Sequence, residues 1–284
     1  MVQAADTGTL TEVLAEVDAW EPPTVTVGVT TADAVLASHG PTDELLWFAS
    51  VSKPLTAYGV LLAVQHGDVT LDEPVDVPGG HADATVRHLL SHAGGLPRDA
   101  DGPTLPVERR RSYSDWAYEL LGDLVAARVG TSFEDHLDVE VFAPLGMSRT
   151  RLGGPAGHGV HGTLDDLLRF ARELLAPTLL EPARLAEATT VAFPGLEGTV
   201  PGFGRQRPND WGLGFELKGA KTEHWMGTRL SPRTFGHFGL SGSFLWVDPE
   251  RGLAAAELAD RRFGPWAQQA WGPFNDRVVE ASRP

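Results

Sequence analysis

Strand patterns sit at the two ends of this chain and helix patterns fill the middle, and that placement restricts the fold more than any other feature. Near the N-terminus Val25, Val27 and Val29 alternate with Thr and Gly, the period-two pattern of a strand. Towards the C-terminus Gly212 to Leu217, Gly242 to Val247 and Leu253 to Ala259 read as strands, and Asp248-Pro249-Glu250-Arg251-Gly252 reads as a hairpin turn. Between them, apolar residues recur at helical spacing. Ala117, Leu120, Leu121, Leu124 and Val125 form one such set, with Gly130 as a stop, and Leu10, Val13, Leu14 and Val17 form another ahead of the first strand. Thr163 with Asp166 resembles a capping box ahead of Leu167, Leu168, Ala171, Leu174 and Leu175. A last helix is expected over Trp266 to Val279. Strands at both ends with helices between them suggest one sheet built from the two termini, with a helical region inserted. Gly/Pro-rich loops at Val77–Ala82, Gly94–Pro106, Gly153–Gly162 and Phe193–Pro208 interrupt the middle. Loops this long in a compact chain are often functional.

Composition removes several function classes. With 23 Lys+Arg and 38 Asp+Glu the 284-residue chain carries a formal charge of −15. It has no basic excess to displace counterions from a nucleic acid, and Arg109-Arg110-Arg111 is its only basic run. Cysteine is absent, which excludes disulfides, thiolate metal sites and a cysteine nucleophile. No stretch approaches the ~20 apolar residues of a membrane helix. Met1 to Asp18 lacks a basic start followed by an apolar run, so a cytoplasmic location is expected.

The most informative chemistry lies in Trp47-Phe48-Ala49-Ser50-Val51-Ser52-Lys53-Pro54. Ser50 is expected as the N-cap of a helix running to Gln65, with Pro54 in the first turn, where proline is tolerated. Residues three apart on a helix share a face, which makes Ser50 and Lys53 neighbours. A serine hydroxyl is a weak nucleophile until a base takes its proton. Lysine can be that base if burial lowers its affinity for protons. Ser-x-x-Lys is also what an N-capping serine beside a surface lysine gives. Of the chain's three lysines, Lys53, Lys218 and Lys221, the first has the most apolar setting.

Phe48-Ala49-Ser50-Val51-Ser52-Lys53-Pro54-Leu55-Thr56-Ala57 resembles the nucleophile motif of the serine β-lactamase and penicillin-binding protein superfamily. The resemblance is closest to the class C branch, which also holds family VIII carboxylesterases and D-amino-acid peptidases. Further segments follow in the family's order. They are Gly67 to Val75, Thr85 to Pro97 (with Leu89-Leu90-Ser91-His92-Ala93-Gly94-Gly95-Leu96-Pro97), Tyr113-Ser114-Asp115, Ala143 to Met147, and Gly236-His237-Phe238-Gly239-Leu240-Ser241-Gly242. The resemblance covers roughly Leu46 to Arg262. It implies an α+β fold, an α/β sandwich in which an antiparallel sheet from both chain ends is flanked by helices and a helical subdomain is inserted: a sheet unit from 1–50 and 205–284, a mainly helical unit from 51–204, and an active site in the groove between them.

The resemblance also implies roles. Ser50 would be the acylated nucleophile, Lys53 its proton acceptor, and Tyr113 a proton relay acting as tyrosinate or as hydrogen-bond donor. The backbone N–H groups of Ser50 and Leu240 would form an oxyanion hole. His237 and Gly239 would flank the groove as substrate-binding residues; penicillin-directed members often have Lys-Thr-Gly here, whereas many esterase and peptidase relatives have His-x-Gly. Asp115 stands where the family has asparagine. An ionised carboxylate cannot donate and would hold Lys53 charged, although an acid in a first helical turn is favourable on its own.

Other candidates read as structural. His88 and His92 lie four apart, but no third metal ligand is placed, so no metal and no cofactor is implied. His158 and His161 read as solvated loop residues, and Asp165 and Asp166 as helix N-terminal acids. Trp211 and Trp225 could wall an acyl pocket or simply pack in the core. The expectation is a serine hydrolase working through an acyl-enzyme on a small-molecule ester or small amide, a carboxylesterase first. The alternatives are a β-lactamase or D-stereospecific peptidase, and a non-catalytic binding or regulatory protein on the same fold.

Overall fold

The computed structural model describes residues 7–78 and 83–282, so residues 79–82 of the Val77–Ala82 loop lie outside the description. Helix α1 (Thr7–Ala15) runs into a 3-10 turn and then strands β1 (Val25–Thr30) and β2 (Val35–His39). Strand β3 (Leu46–Trp47) leads into α2 (Ser52–His66). Helices α3 (Val86–Leu90), α4 (Trp116–Val129) and α5 (Phe133–Leu137) follow. Strands β4 (Arg151–Leu152) and β5 (Val160–Gly162) join β3 in a small sheet, and α6 (Leu164–Leu175), α7 (Pro182–Ala188) and the hairpin β6 (Gly198–Val200) and β7 (Gly204–Gln206) come next. The chain closes with β8 (Glu216–Leu217), β9 (Phe235–Gly239), β10 (Ser243–Asp248), β11 (Leu253–Ala259) and α8 (Pro265–Ala281).

The expected sheet from both chain ends is present. Six strands run in the order β2-β1-β11-β10-β9-β8, antiparallel throughout, with Val27 opposite Glu257 and Phe244 opposite Glu257 on its other side. Its central strands are covered on both faces, so they read as continuous apolar runs. On one face lie α1 and α8, packed over Phe244, Trp246, Trp271 and Phe274. On the other lies α6, seated on Ala254, Ala256 and Leu258. Small residues let α6 approach: a side chain on Gly28 would place its Cβ 2.6 Å from Leu168. Thr163 caps α6 by accepting from the Asp166 N–H at 3.2 Å. The Asp166 carboxylate does not complete a reciprocal box. It is buried and accepts from Arg149 N–H and from the Thr150 hydroxyl.

Several boundaries differ from the sequence reading. The strand expected over Gly212–Leu217 is reduced to Glu216–Leu217, because the segment before it folds against the loop after α7, with Leu213 N–H on Ala188 O and Ala192 N–H on Trp211 O. The Asp248 turn is as expected. The buried Asp248 carboxylate accepts from Ser231 N–H and hydroxyl and from the N–H groups of Glu250 and Arg251. Among the described residues no helix is long and apolar enough to cross a membrane.

One buried group works against this core. Glu257 on β11 is fully buried between Val27 and Phe244 on the sheet face that α1 and α8 cover, and neither carboxylate oxygen has a hydrogen-bond partner. Burial pushes its carboxyl well above the usual range, so the folded protein holds it neutral. Above a pH of about 4.3 the unfolded chain ionises this group and the folded chain does not, which lowers stability by about 1.4 kcal/mol per pH unit until the folded value is reached. Glu257→Met is therefore expected to raise the thermal midpoint at pH 8 and to raise it much less at pH 4.5. Equal midpoints for the two proteins at pH 8 would contradict the buried neutral carboxyl.

Candidate active site

Ser50 does not cap a helix. It sits in a 3-10 turn, Ala49–Val51, between β3 and α2, and α2 begins at Ser52 without a side-chain cap. Ala49 takes a positive φ of 47°, a conformation costly for alanine, and the turn it completes delivers Ser50 to the floor of a cavity. The spacing of three survives the shift: Lys53 Nζ lies 3.4 Å from Ser50 Oγ. The Tyr113 hydroxyl donates to the same oxygen at 2.7 Å.

Lys53 is fully buried. Its ammonium donates to Asp115 Oδ1 and to the Gly157 carbonyl at 2.8 Å, and the rings of Tyr113 and Tyr118 stand 4.7 and 5.4 Å from it. Burial pushes the Lys53 amine down to about 8, against the pull of Asp115. Burial alone would raise Asp115, but Lys53 and Arg98 outweigh it and hold the carboxyl below its ordinary value. Arg98 Nε donates to Asp115 Oδ2 at 3.1 Å. Burial raises the Tyr113 phenol well above its ordinary value, so it is a neutral donor and not a tyrosinate.

Asp115 occupies the N-cap position of α4 yet makes no cap. The Ser114 hydroxyl takes that role by accepting from Ala117 N–H at 2.9 Å, which frees the Asp115 carboxylate to turn inward. Ser114 is itself positioned by His92, whose Nδ1 accepts from Ser114 N–H at 3.2 Å. The glycine-rich loop is tied down rather than solvated: Val160 N–H donates to Ser52 Oγ and Trp47 Nε1 to the His158 carbonyl. His158 and His161 are half-buried in it, and His158 helps to hold the Asp115 carboxylate ionised. His88 pairs with Thr85 in a reciprocal cap on α3.

Strand β9 forms the opposite wall. Gly239 abuts the turn so closely that a Cβ there would lie 2.6 Å from Phe48 O and 3.2 Å from Ser50 N. His237 is buried, its Nδ1 is bonded to Phe238 O at 2.6 Å, and burial lowers its imidazole to about 4, so it is neutral. Trp211, Phe238, Phe263, Val200 and Leu240 line the cavity, whose volume is about 90 Å³. Trp225 does not reach it; it packs under the sheet and donates from Nε1 to Glu216 at 2.9 Å. Glu216 also accepts from His224, and Lys221 lies 3.3 Å away. Burial would raise this carboxyl, but Lys221, His224 and Trp225 hold it far below its ordinary value. Arg98, Gly157 and Glu216 were missed in the sequence; the partners of Arg98 and Gly157 lie 17 and 104 residues away, whereas those of Glu216, Lys221, His224 and Trp225, lie close by but follow no regular spacing.

The family described as Beta-lactamase matches residues 16–278. The chain belongs to the beta-lactamase family. This is a family of serine hydrolases. A crystal structure of a beta-lactamase from Mycobacterium bovis is 44% identical, covers 95% of this chain and 99% of its own, and superposes with a TM-score of 0.91. A penicillin-binding protein of Bacillus subtilis (strain 168) is 29% identical over 140 residues, which span 39% of this chain and 31% of that protein. Penicillin-binding protein 4 of Amycolatopsis lactamdurans is 27% identical across 77% of this chain and 73% of its own.

The contact between β9 and the Ser50 turn makes a prediction within this family fold. Gly239→Ala forces Phe48 O and the strand apart, at a cost of about 1–3 kcal/mol. Urea unfolding of the two proteins measures it, and a difference under about 0.5 kcal/mol would mean that strand and turn are not in close contact.

Proposed function

We propose that this protein is a serine hydrolase that acts through an acyl-enzyme on esters, a carboxylesterase of the beta-lactamase family. The observation that carries the reading is the position of Ser50 Oγ, between the Tyr113 hydroxyl at 2.7 Å and Lys53 Nζ at 3.4 Å. With Tyr113 donating, the Ser50 proton is free to point at Lys53. Uncharged Lys53 takes that proton as Ser50 Oγ attacks the ester carbonyl. The N–H groups of Ser50 and Leu240 hold the resulting oxyanion, worth about 3 kcal/mol per donor in other acyl-transfer sites. The neutral Tyr113 phenol protonates the departing alkoxide and is reprotonated through Lys53. Water then attacks the acyl-enzyme by the reverse route.

Two features support an ester. His237 is neutral, so β9 presents no cation for a substrate carboxylate. The wall of Trp211, Phe238, Phe263 and Val200 fits an apolar acyl group. The similarity to proteins described as a beta-lactamase and as a putative D-alanyl-D-alanine carboxypeptidase favours a second reading, hydrolysis of a lactam or a D-amino-acid peptide bond. The Lys53–Asp115 pair favours a third, a binding protein in which Lys53 stays charged.

Hydrolysis of p-nitrophenyl butyrate and of nitrocefin, each with Ser50→Ala, tests the three. Ester turnover lost in Ser50→Ala and slow with nitrocefin is the expected result, with Ser50 gaining one adduct mass from a fluorophosphonate. Fast nitrocefin turnover would replace the ester reading, and absence of both turnover and labelling would favour the binding protein. Tyr113→Phe is expected to lower kcat by about 10²–10⁴. Because Lys53 acts only when deprotonated, kcat/KM should rise with pH through about 8. A rate that is flat from pH 6 to 9 would exclude Lys53 as the base.

A further inference from the structure

Aspartate at position 115 conflicts with a lysine base. Lys53 takes a proton from Ser50 only when it is itself uncharged. A buried carboxylate facing Lys53 alone would then be left as an unpaired charge, which is strongly unfavourable away from water. Asparagine at this position would raise no such conflict.

Arg98 removes it. Its Nε donates to Asp115 Oδ2 at 3.1 Å, while Lys53 Nζ donates to Oδ1. Its carbonyl accepts from the N–H groups of Asp115 at 2.9 Å and Trp116 at 3.0 Å, so main chain and side chain both fasten it to the start of α4. Among the described residues, Lys53 and Arg98 are the two cations paired with Asp115. When Lys53 loses its proton, an Arg98–Asp115 ion pair of zero net charge remains. When Lys53 is charged, the same carboxylate serves both cations. Asp115 is satisfied in either state.

We propose that Arg98 is a positioning residue for this site: by holding Asp115 it lets Lys53 exist uncharged, the form in which it can act as a base. The proposal rests on the reading of Lys53 as that base. The other groups around Lys53 do not replace Arg98. From α4 and the loop before it come Glu119, which favours the charged amine, and the neutral phenols of Tyr113 and Tyr118. The 153–159 loop contributes the Gly157 carbonyl, which accepts from the amine, and His158, near Asp115. His92 and His237 on the far side are held neutral by burial, and Glu216 beyond them is engaged with Lys221 and His224. The Arg98 side chain is 58% exposed, so its replacement opens no core cavity.

The chain has three lysines, which makes Lys53 traceable by NMR titration of ¹³Cε-labelled lysine, with Lys53→Arg assigning the signal. In Arg98→Gln the Lys53 midpoint is expected to rise by about one pH unit or more. The acid limb of ester kcat/KM should move with it, so that the rate falls about tenfold at pH 7 and recovers at high pH. Arg98→Lys should keep most of the wild-type midpoint, and in an Asp115→Asn background removing Arg98 should shift it far less. An unchanged midpoint in Arg98→Gln, or a rate loss equal at every pH, overturns the proposal. The two readouts separate the hypotheses. A shifted midpoint without Ser50-dependent turnover retains the Arg98 coupling and rejects the esterase; turnover with an unshifted midpoint does the reverse.

Discussion

The site is organised around one buried ammonium. Lys53 has no access to water, and a charge so placed needs partners in every direction it can donate. Its partners come from three distant parts of the chain: the Asp115 carboxylate at the start of α4, the Gly157 carbonyl in the glycine-rich loop, and Ser50 one turn back. Each demand propagates outward. Asp115 can face inward because Ser114 caps α4 in its place, and Ser114 is set by His92. Gly157 is held because its loop docks on Ser52 and Trp47. Substituting any of these groups would therefore act on the amine first.

A second constraint is the close approach of β9 to the turn carrying Ser50. Two segments about 190 residues apart in sequence meet with no room for a Cβ at Gly239. That contact needs the six-stranded sheet to be held firmly behind it. The aromatic layer under α8 and the small residues beneath α6 hold it from opposite faces. Glu257 lies in the middle of that same sheet as an uncompensated polar group, so the support is less stable than its apolar burial alone would allow.

Much of this was readable along the chain. Alternating valines at 25, 27 and 29 and the Asp248 turn marked the sheet, because a period of two and a turn aspartate are local properties. The three-residue spacing of Ser50 and Lys53 held even though the expected helix start was one residue early, since a 3-10 turn also brings i and i+3 together. Tyr113, Asp115, His237 and Gly239 came from ordered family motifs, and all four lie around Ser50 or Lys53. Trp211 and Trp225 looked alike in sequence and differ in the structure: one walls the cavity and the other serves Glu216.

Local pattern by itself determined most of the elements and the pairing of Ser50 with Lys53, because each depends on neighbours within a few positions; the sheet drawn from both chain ends followed from where the strand patterns lie along the chain. Only the tertiary structure decided the charge environment of the site. That Arg98 shares Asp115 with Lys53, that Tyr113 is a neutral donor and that His237 is a neutral wall all follow from which groups share a water-poor space. Burial and charge pairing are set by distance through space, and residues 53, 98, 115 and 157 become neighbours only when the chain has folded.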